Sequence, residues 1–106
     1  MIERPVTVAG FLLVLAQAAG AQQTVSLQVV LAGAHRCLHG VDARACEQSL
    51  DQAETLQRLA TAREAYPCQT LLLGLQADLI LQQLGKGRAD RAVADLAEIR
   101  RGCTGL

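Results

Sequence analysis

Residues 67–84 read PCQTLLLGLQADLILQQL, a segment that is apolar around most of a helical circumference. Its apolar residues recur at helical spacing and lack the alternation of a half-buried strand. Pro67 suits the first turn of a helix, and Gly85 begins a clear turn. The pattern predicts a helix over 67–84 that is the most buried of the fold. Its narrow polar strip is expected to face solvent and consists of Gly74, Asp78 and Gln82.

Three further segments show the same helical spacing of apolar residues. The predicted helices cover residues 24–38, 43–65 and 89–101. Asp42 is the expected N-cap of the helix over 43–65, because its side chain can accept hydrogen bonds from the first turn. Since no segment shows strand alternation, the sequence predicts an all-α fold of four helices.

The first 21 residues have the features of an export signal. A short charged segment ends at Arg4, an apolar run covers residues 6–15, and Ala19-Gly20-Ala21 supplies a small-residue cleavage pattern. We therefore predict a signal-peptide helix over 1–21 and a small helical domain over 22–106. The mature protein is expected to be periplasmic or secreted.

An uncleaved membrane anchor is the alternative reading of this N-terminal segment. No charged residue lies between Arg4 and His35, a span long enough to cross a bilayer. Glutamines interrupt that span from Gln17 onward, so its continuous apolar part is shorter than the about 20 residues that a spanning helix needs. We expect a membrane partner only if the segment stays uncleaved.

The predicted mature domain is formally neutral and almost free of aromatic rings. Glu3 and Arg4 leave with the signal, so ten acidic and ten basic residues become nine of each. Nucleic-acid binding depends on clustered lysine and arginine, so no nucleic-acid partner is expected. Tyr66 is the one aromatic residue of 22–106, which disfavours base-stacking surfaces and aromatic cofactor sites. We expect no cofactor.

Four cysteines are expected to form two disulfides, because an even number in a small exported chain is typical of a disulfide framework. A core of leucine, valine and alanine in so short a domain buries limited apolar area and needs covalent support. Short connections imply antiparallel neighbouring helices, which places two cysteines at each end of the bundle. The sequence thus predicts two disulfide-clamped αα-hairpins, with the bonds Cys37–Cys46 and Cys68–Cys103.

Two turn segments are alike, residues 40–45 (GVDARA) and 87–92 (GRADRA). In each, an Arg-Ala pair follows the glycine after four and five residues. This spacing is similar to the middle of a tetratricopeptide-type repeat, and disulfide-stapled Sel1-like repeats of exported bacterial proteins are the nearer comparison. The glycines lie 47 residues apart, and the large aromatic positions of the repeat are absent. The resemblance implies helical hairpins that bind another protein.

One cluster has the composition of a metal site. His35, His39, Cys37 and Cys46 could together hold zinc tetrahedrally. However, His35 and His39 share a helix face, whereas Cys37 lies on roughly the opposite side. We expect the cysteines to be oxidised and predict no metal site, with His35 and His39 kept as the candidate ligands of the alternative.

No residue pattern predicts catalysis. The chain has no Cys-x-x-Cys redox motif, phosphate-binding glycine loop or nucleophile elbow. We therefore expect no catalytic residue and no enzyme activity. The sequence instead favours a small protein–protein interaction module. The alternatives are a periplasmic metal-binding protein and a membrane-anchored accessory protein with an uncleaved N-terminal helix.

Overall fold

The computed structural model describes residues 25–40 and 42–106, and these residues form a helical array without strands. Its four helices are α1 (Leu27–Leu38), α2 (Ala43–Ala62), α3 (Tyr66–Gln83) and α4 (Ala89–Gly102). The predicted all-α fold is confirmed for this part of the chain. The predicted signal-peptide helix over 1–21 lies outside the described residues.

Side-chain caps fix where the first two helices begin. The Val29 N–H donates to the Ser26 hydroxyl oxygen at 3.1 Å, and the Arg44 N–H donates to the Asp42 carboxylate at 3.0 Å. Each cap satisfies a backbone donor that has no partner within the first helical turn. The predicted role of Asp42 is therefore confirmed.

The chain reverses sharply between α2 and α3. α2 ends at Ala62, three residues before the predicted limit, because Glu64 adopts a left-handed φ of 57°. The Ala65 N–H then donates to the Ala60 carbonyl at 2.8 Å, which closes the end of the helix. Pro67 becomes the second residue of α3, where the absence of an N–H costs no helical hydrogen bond.

The helices pack in chain order around one apolar core. Among the described residues, α2 and α3 share the most extensive contact, α1 contacts the other three helices, and α2 does not meet α4. Gly33 lets α1 approach α2 closely, since a Cβ there would lie 2.7 Å from the Ser49 Oγ. The fully buried large aliphatic side chains of the core are Val30, Leu56, Leu72, Leu75, Leu79 and Ile99.

The two turns that look alike in sequence differ in backbone. Gly40 has a positive φ of 74° after α1, whereas after α3 the positive φ, 72°, belongs to Gly85 and not to Gly87. Ala45 and Ala92 are both buried where the following helix enters the core. What the turns share is therefore a small residue at the helix contact and not an equivalent glycine.

Both predicted disulfides are present, and no cysteine is free. Cys37–Cys46 joins the end of α1 to the start of α2, with the Cα atoms 4.5 Å apart. Cys68–Cys103 joins the start of α3 to the residue after α4, with the Cα atoms 4.8 Å apart. All four half-cystines are buried, so they contribute to the apolar core as well as linking the helices.

The prediction that α3 is the most buried helix is wrong. Four of its 18 residues are buried, compared with six of the 12 residues of α1. α3 is apolar on nearly every side, and the neighbouring helices cover only the side that carries Cys68, Leu72, Leu75 and Leu79. A pattern without a clear polar face shows that a helix has apolar surface to bury, but not that enough neighbours exist to bury it.

Removal of the disulfides should destabilise the fold unequally. Cys37–Cys46 closes a loop with a sequence separation of 9 residues, and Cys68–Cys103 closes one of 35 residues. From loop-closure entropy, we expect the two bonds to stabilise the folded state by about 3 and about 4 kcal/mol, respectively. Urea unfolding of the Cys37→Ser/Cys46→Ser and Cys68→Ser/Cys103→Ser variants measures both losses against the wild-type protein. If the Cys68→Ser/Cys103→Ser variant loses less unfolding free energy than the Cys37→Ser/Cys46→Ser variant, the order expected from loop length is wrong.

Candidate functional site

His35 and His39 lie on one face of α1 near its end. Their rings are nearly parallel, with an interplanar angle of 16° and centroids 6.0 Å apart. Cys37 and Cys46, the other members of the predicted cluster, are bonded to each other, and a disulfide sulfur is not a thiolate ligand. Within residues 25–40 and 42–106, no group of three or more potential ligand side chains comes together. The two histidines thus stand alone as candidate ligands.

Two open clefts lie between the helices. The larger, of about 390 Å³, adjoins the Cys37–Cys46 bond and includes the carboxylates of Asp42 and Glu47. Asp42 is already engaged as the cap of α2. The lining of this cleft contains no serine, threonine or free thiol that a base could activate. We therefore find no catalytic arrangement in this cleft.

The smaller cleft, of about 330 Å³, lies between α1 and α4. His35, Arg100 and Arg101 border an apolar floor that includes Val93 and Leu96. Arg101 pairs with Glu98 one turn away on the same helix, so part of the positive charge is already neutralised. Both basic residues lie in the last turn of α4, where they also offset the helix dipole. Stabilisation of the helix end accounts for this group without a ligand.

Asp78 does not occupy the solvent-facing edge that the sequence predicts. It is half-buried on the side of α3 that faces α4, and its Oδ2 atom is enclosed without a donor group in reach. Burial and the nearby charge of Asp95 together raise the pKa of Asp78 to about 6, although the positive charge of Arg91 opposes this rise. Asp78 and Asp95 thus bring two carboxyl groups close together between α3 and α4.

α3 presents an exposed apolar face on the side away from the core. We define the outer stripe as Tyr66, Thr70, Leu73, Ala77, Ile80 and Leu84, all of which are exposed. The exposed fractions are 55% for Tyr66, 47% for Leu73, 44% for Ile80 and 64% for Leu84. Such contiguous apolar surface on a small protein marks an interaction site more often than scattered single residues do.

The outer stripe has the spacing of a helix-packing seam. Its members follow one another after four, three, four, three and four residues, the alternating spacing of the a and d positions of a heptad. The spacing is readable in the sequence, but so is the stripe through Cys68, Leu72, Leu75 and Leu79, which the structure buries. The sequence alone does not identify the outer stripe, because it does not show which side of α3 the neighbouring helices cover.

Charge is nearly absent from α3. Asp78 is its one charged residue, and this side chain turns toward Asp95 of α4 and away from the outer stripe. By contrast, α2 exposes Glu47, Asp51 and Arg58. None of the described helices is both long enough and apolar enough to span a bilayer. The outer stripe is therefore a candidate contact surface on one helix face.

Substitution of Asp78 should stabilise the protein at neutral pH. A carboxyl pKa raised from 3.8 to about 6 gives a stabilising contribution that is complete below pH 3.8 and lost as the pH rises through about 6. Asp78→Asn should therefore raise the unfolding free energy at pH 7 by about 1 kcal/mol after allowance for solvent screening. It should also flatten the loss of stability between pH 4 and pH 7.

Urea unfolding at several pH values checks this expectation. Asp51→Asn on the exposed face of α2 is the matched control and should leave the wild-type pH profile unchanged. Identical profiles for wild type and Asp78→Asn would show that the carboxyl pair does not titrate as described.

Comparison of the chain with protein-family models, with curated proteins and with solved structures gives no match. The tetratricopeptide and Sel1-like resemblance thus remains a hypothesis from two short turns. The function is best inferred from the outer stripe and the disulfide-linked helices themselves.

Proposed function

We propose that this protein is an exported, disulfide-stabilised helical module that binds another protein through the outer stripe of α3. The observation that carries the proposal is the exposed apolar seam from Tyr66 to Leu84. Four of its side chains are large and about half exposed, and covering each would contribute about 1 kcal/mol. Together they contribute about 4 kcal/mol, so the partner must bury comparable apolar surface of its own to exceed the cost of association.

The proposed architecture is two antiparallel hairpins, α1 with α2 and α3 with α4. The connections within the hairpins are short, residues 39–42 and 84–88, and short connections favour antiparallel neighbours. One disulfide belongs to each hairpin. This arrangement provides a rigid support for α3, and a preorganised surface loses little conformational entropy on binding.

Export is proposed from two independent features. Two intramolecular disulfides are typical of the periplasm or the extracellular space and rare in the cytosol. The segment over 1–21 has the charged, apolar and small-residue parts of a signal peptide. The functional form is then the oxidised domain over 22–106, in the periplasm or secreted.

Intact-mass analysis of the protein from the periplasmic fraction of an expressing bacterium tests export. We expect a chain that begins at Gln22 and lacks four hydrogens, as two disulfides require. Ala21→Arg is the control, because a large charged residue before the cut should block processing. A wild-type protein that keeps residues 1–21 and fractionates with membranes would instead support the membrane-anchored alternative.

Affinity capture from the envelope fraction tests the binding surface. Leu73→Ser/Leu84→Ser should weaken binding of the captured partner by about 30-fold, since two contacts of about 1 kcal/mol each are lost. Val29→Ser is the matched control, because Val29 is 46% exposed on α1, outside the stripe. Equal capture by all three proteins, with both disulfides intact, would refute binding through the outer stripe.

A further inference from the structure

The spacing of the outer stripe indicates what kind of surface can cover it. Its residues recur at alternating spacings of four and three, the pattern of the a and d positions that face a partner in paired helices. An extended peptide would impose no such spacing, and a helix that binds a lipid surface is typically rich in Lys and Arg beside its apolar face, whereas α3 contains neither. The stripe therefore fits another helix, which can insert its side chains between those of Leu73, Ile80 and Leu84.

The positions beside the outer stripe carry no charge. One flank consists of Gln69, Gln76 and Gln83, and the other of Pro67, Gly74 and Leu81. In paired helices, charges at flanking positions select the partner, and like charges repel an identical copy. An identical α3 would meet no such repulsion along these flanks.

The other described helices are poor complements for this surface. α2 exposes Glu47, Asp51 and Arg58, and α4 exposes Asp90, Arg91 and Glu98. Pressing such faces against the uncharged outer stripe would desolvate charges without supplying partners for them. α3 is therefore a better complement of the outer stripe than α2 or α4 is.

The charges at the two ends of α3 favour an antiparallel pair. Arg63 and Glu64 precede the stripe, whereas Lys86 and Arg88 follow it. A parallel pair would bring Lys86 and Arg88 of both copies together. An antiparallel pair would place Glu64 near Lys86 and Arg63 near Arg88, so only one of these two contacts joins like charges, whereas every such contact of a parallel pair does.

The middle of the stripe permits close approach. Ala77 is small, and a Cβ added at the neighbouring Gly74 would meet nothing within 4 Å. Small side chains at the midpoint allow two helix axes to come within about 8 Å, while the larger residues on either side interdigitate. In an antiparallel pair centred here, Ala77 of each copy would face Leu73 of the other, so that a small side chain meets a large one.

We propose that a second copy of this chain covers the outer stripe in an antiparallel α3–α3 pair, with a two-fold axis between Gly74 and Ala77. The inference rests on the proposed function and identifies the partner. A two-fold pair uses the same patch on both copies. α3 is only about 27 Å long, so the contact is smaller than the about 800 Å² per partner of a standard interface. A dissociation constant of roughly 10 to 100 µM is expected.

Analytical ultracentrifugation of the secreted, oxidised protein from about 5 µM to about 500 µM tests the pair. Wild type and the control Val29→Arg should shift from monomer to dimer over this range. Ala77→Arg and Ala77→Glu should each weaken association at least about tenfold, because like charges meet near the two-fold axis. Mixing Ala77→Arg with Ala77→Glu in equal amounts should restore the dimer, which a loss of folding would not allow.

A wild-type protein that stays monomeric throughout, or a dimer that Ala77→Arg leaves intact, would overturn the self-association. If wild type is monomeric and Leu73→Ser/Leu84→Ser still loses the envelope partner, the proposed function stands and the partner is a different protein. If monomeric wild type instead binds phosphatidylethanolamine–phosphatidylglycerol vesicles and Ala77→Arg does not, the stripe contacts lipid and both proposals fail.

Discussion

The two disulfides are the covalent constraint on which the helical array depends. The core is assembled from leucine, alanine, valine, isoleucine and half-cystine, without a buried aromatic ring among the described residues. Such side chains supply little apolar area each, and a domain of this size leaves much of its surface in water. The bonds compensate by limiting the freedom of the unfolded chain. They also link α1 to α2 and α3 to α4.

With the helix ends fixed in this way, α3 can remain partly uncovered. Its buried side joins the core through Leu72, Leu75 and Leu79, while the large apolar side chains of its outer stripe are about half exposed. A soluble monomer would gain from polar residues there. The composition of α3, with Asp78 as its one charged residue, thus leaves an apolar face that the other described helices do not fully cover.

The sequence is sufficient to predict the local features of the fold, but it does not predict which side chains of α3 are exposed. Helical periodicity, the cap at Asp42 and the pairing of the four cysteines could be predicted, because each depends on nearby residues or on the short connections between helices. The exposure of Leu73 and the burial of Asp78 could not, because both depend on which side of α3 is covered by α2 and α4. The early end of α2 depends on the left-handed backbone of Glu64, a conformation seldom adopted by a glutamate.

The order of the cysteines along the chain has a consequence for biogenesis. Both bonds join cysteines that are consecutive in the sequence, Cys37 with Cys46 and Cys68 with Cys103. If the chain crosses a membrane from its N-terminus, an oxidant that joins cysteines in their order of arrival would produce these bonds directly. The native connectivity would then need no disulfide isomerase, since no intermediate bond must be broken and exchanged. The Cys37–Cys46 bond would form before Cys103 has emerged.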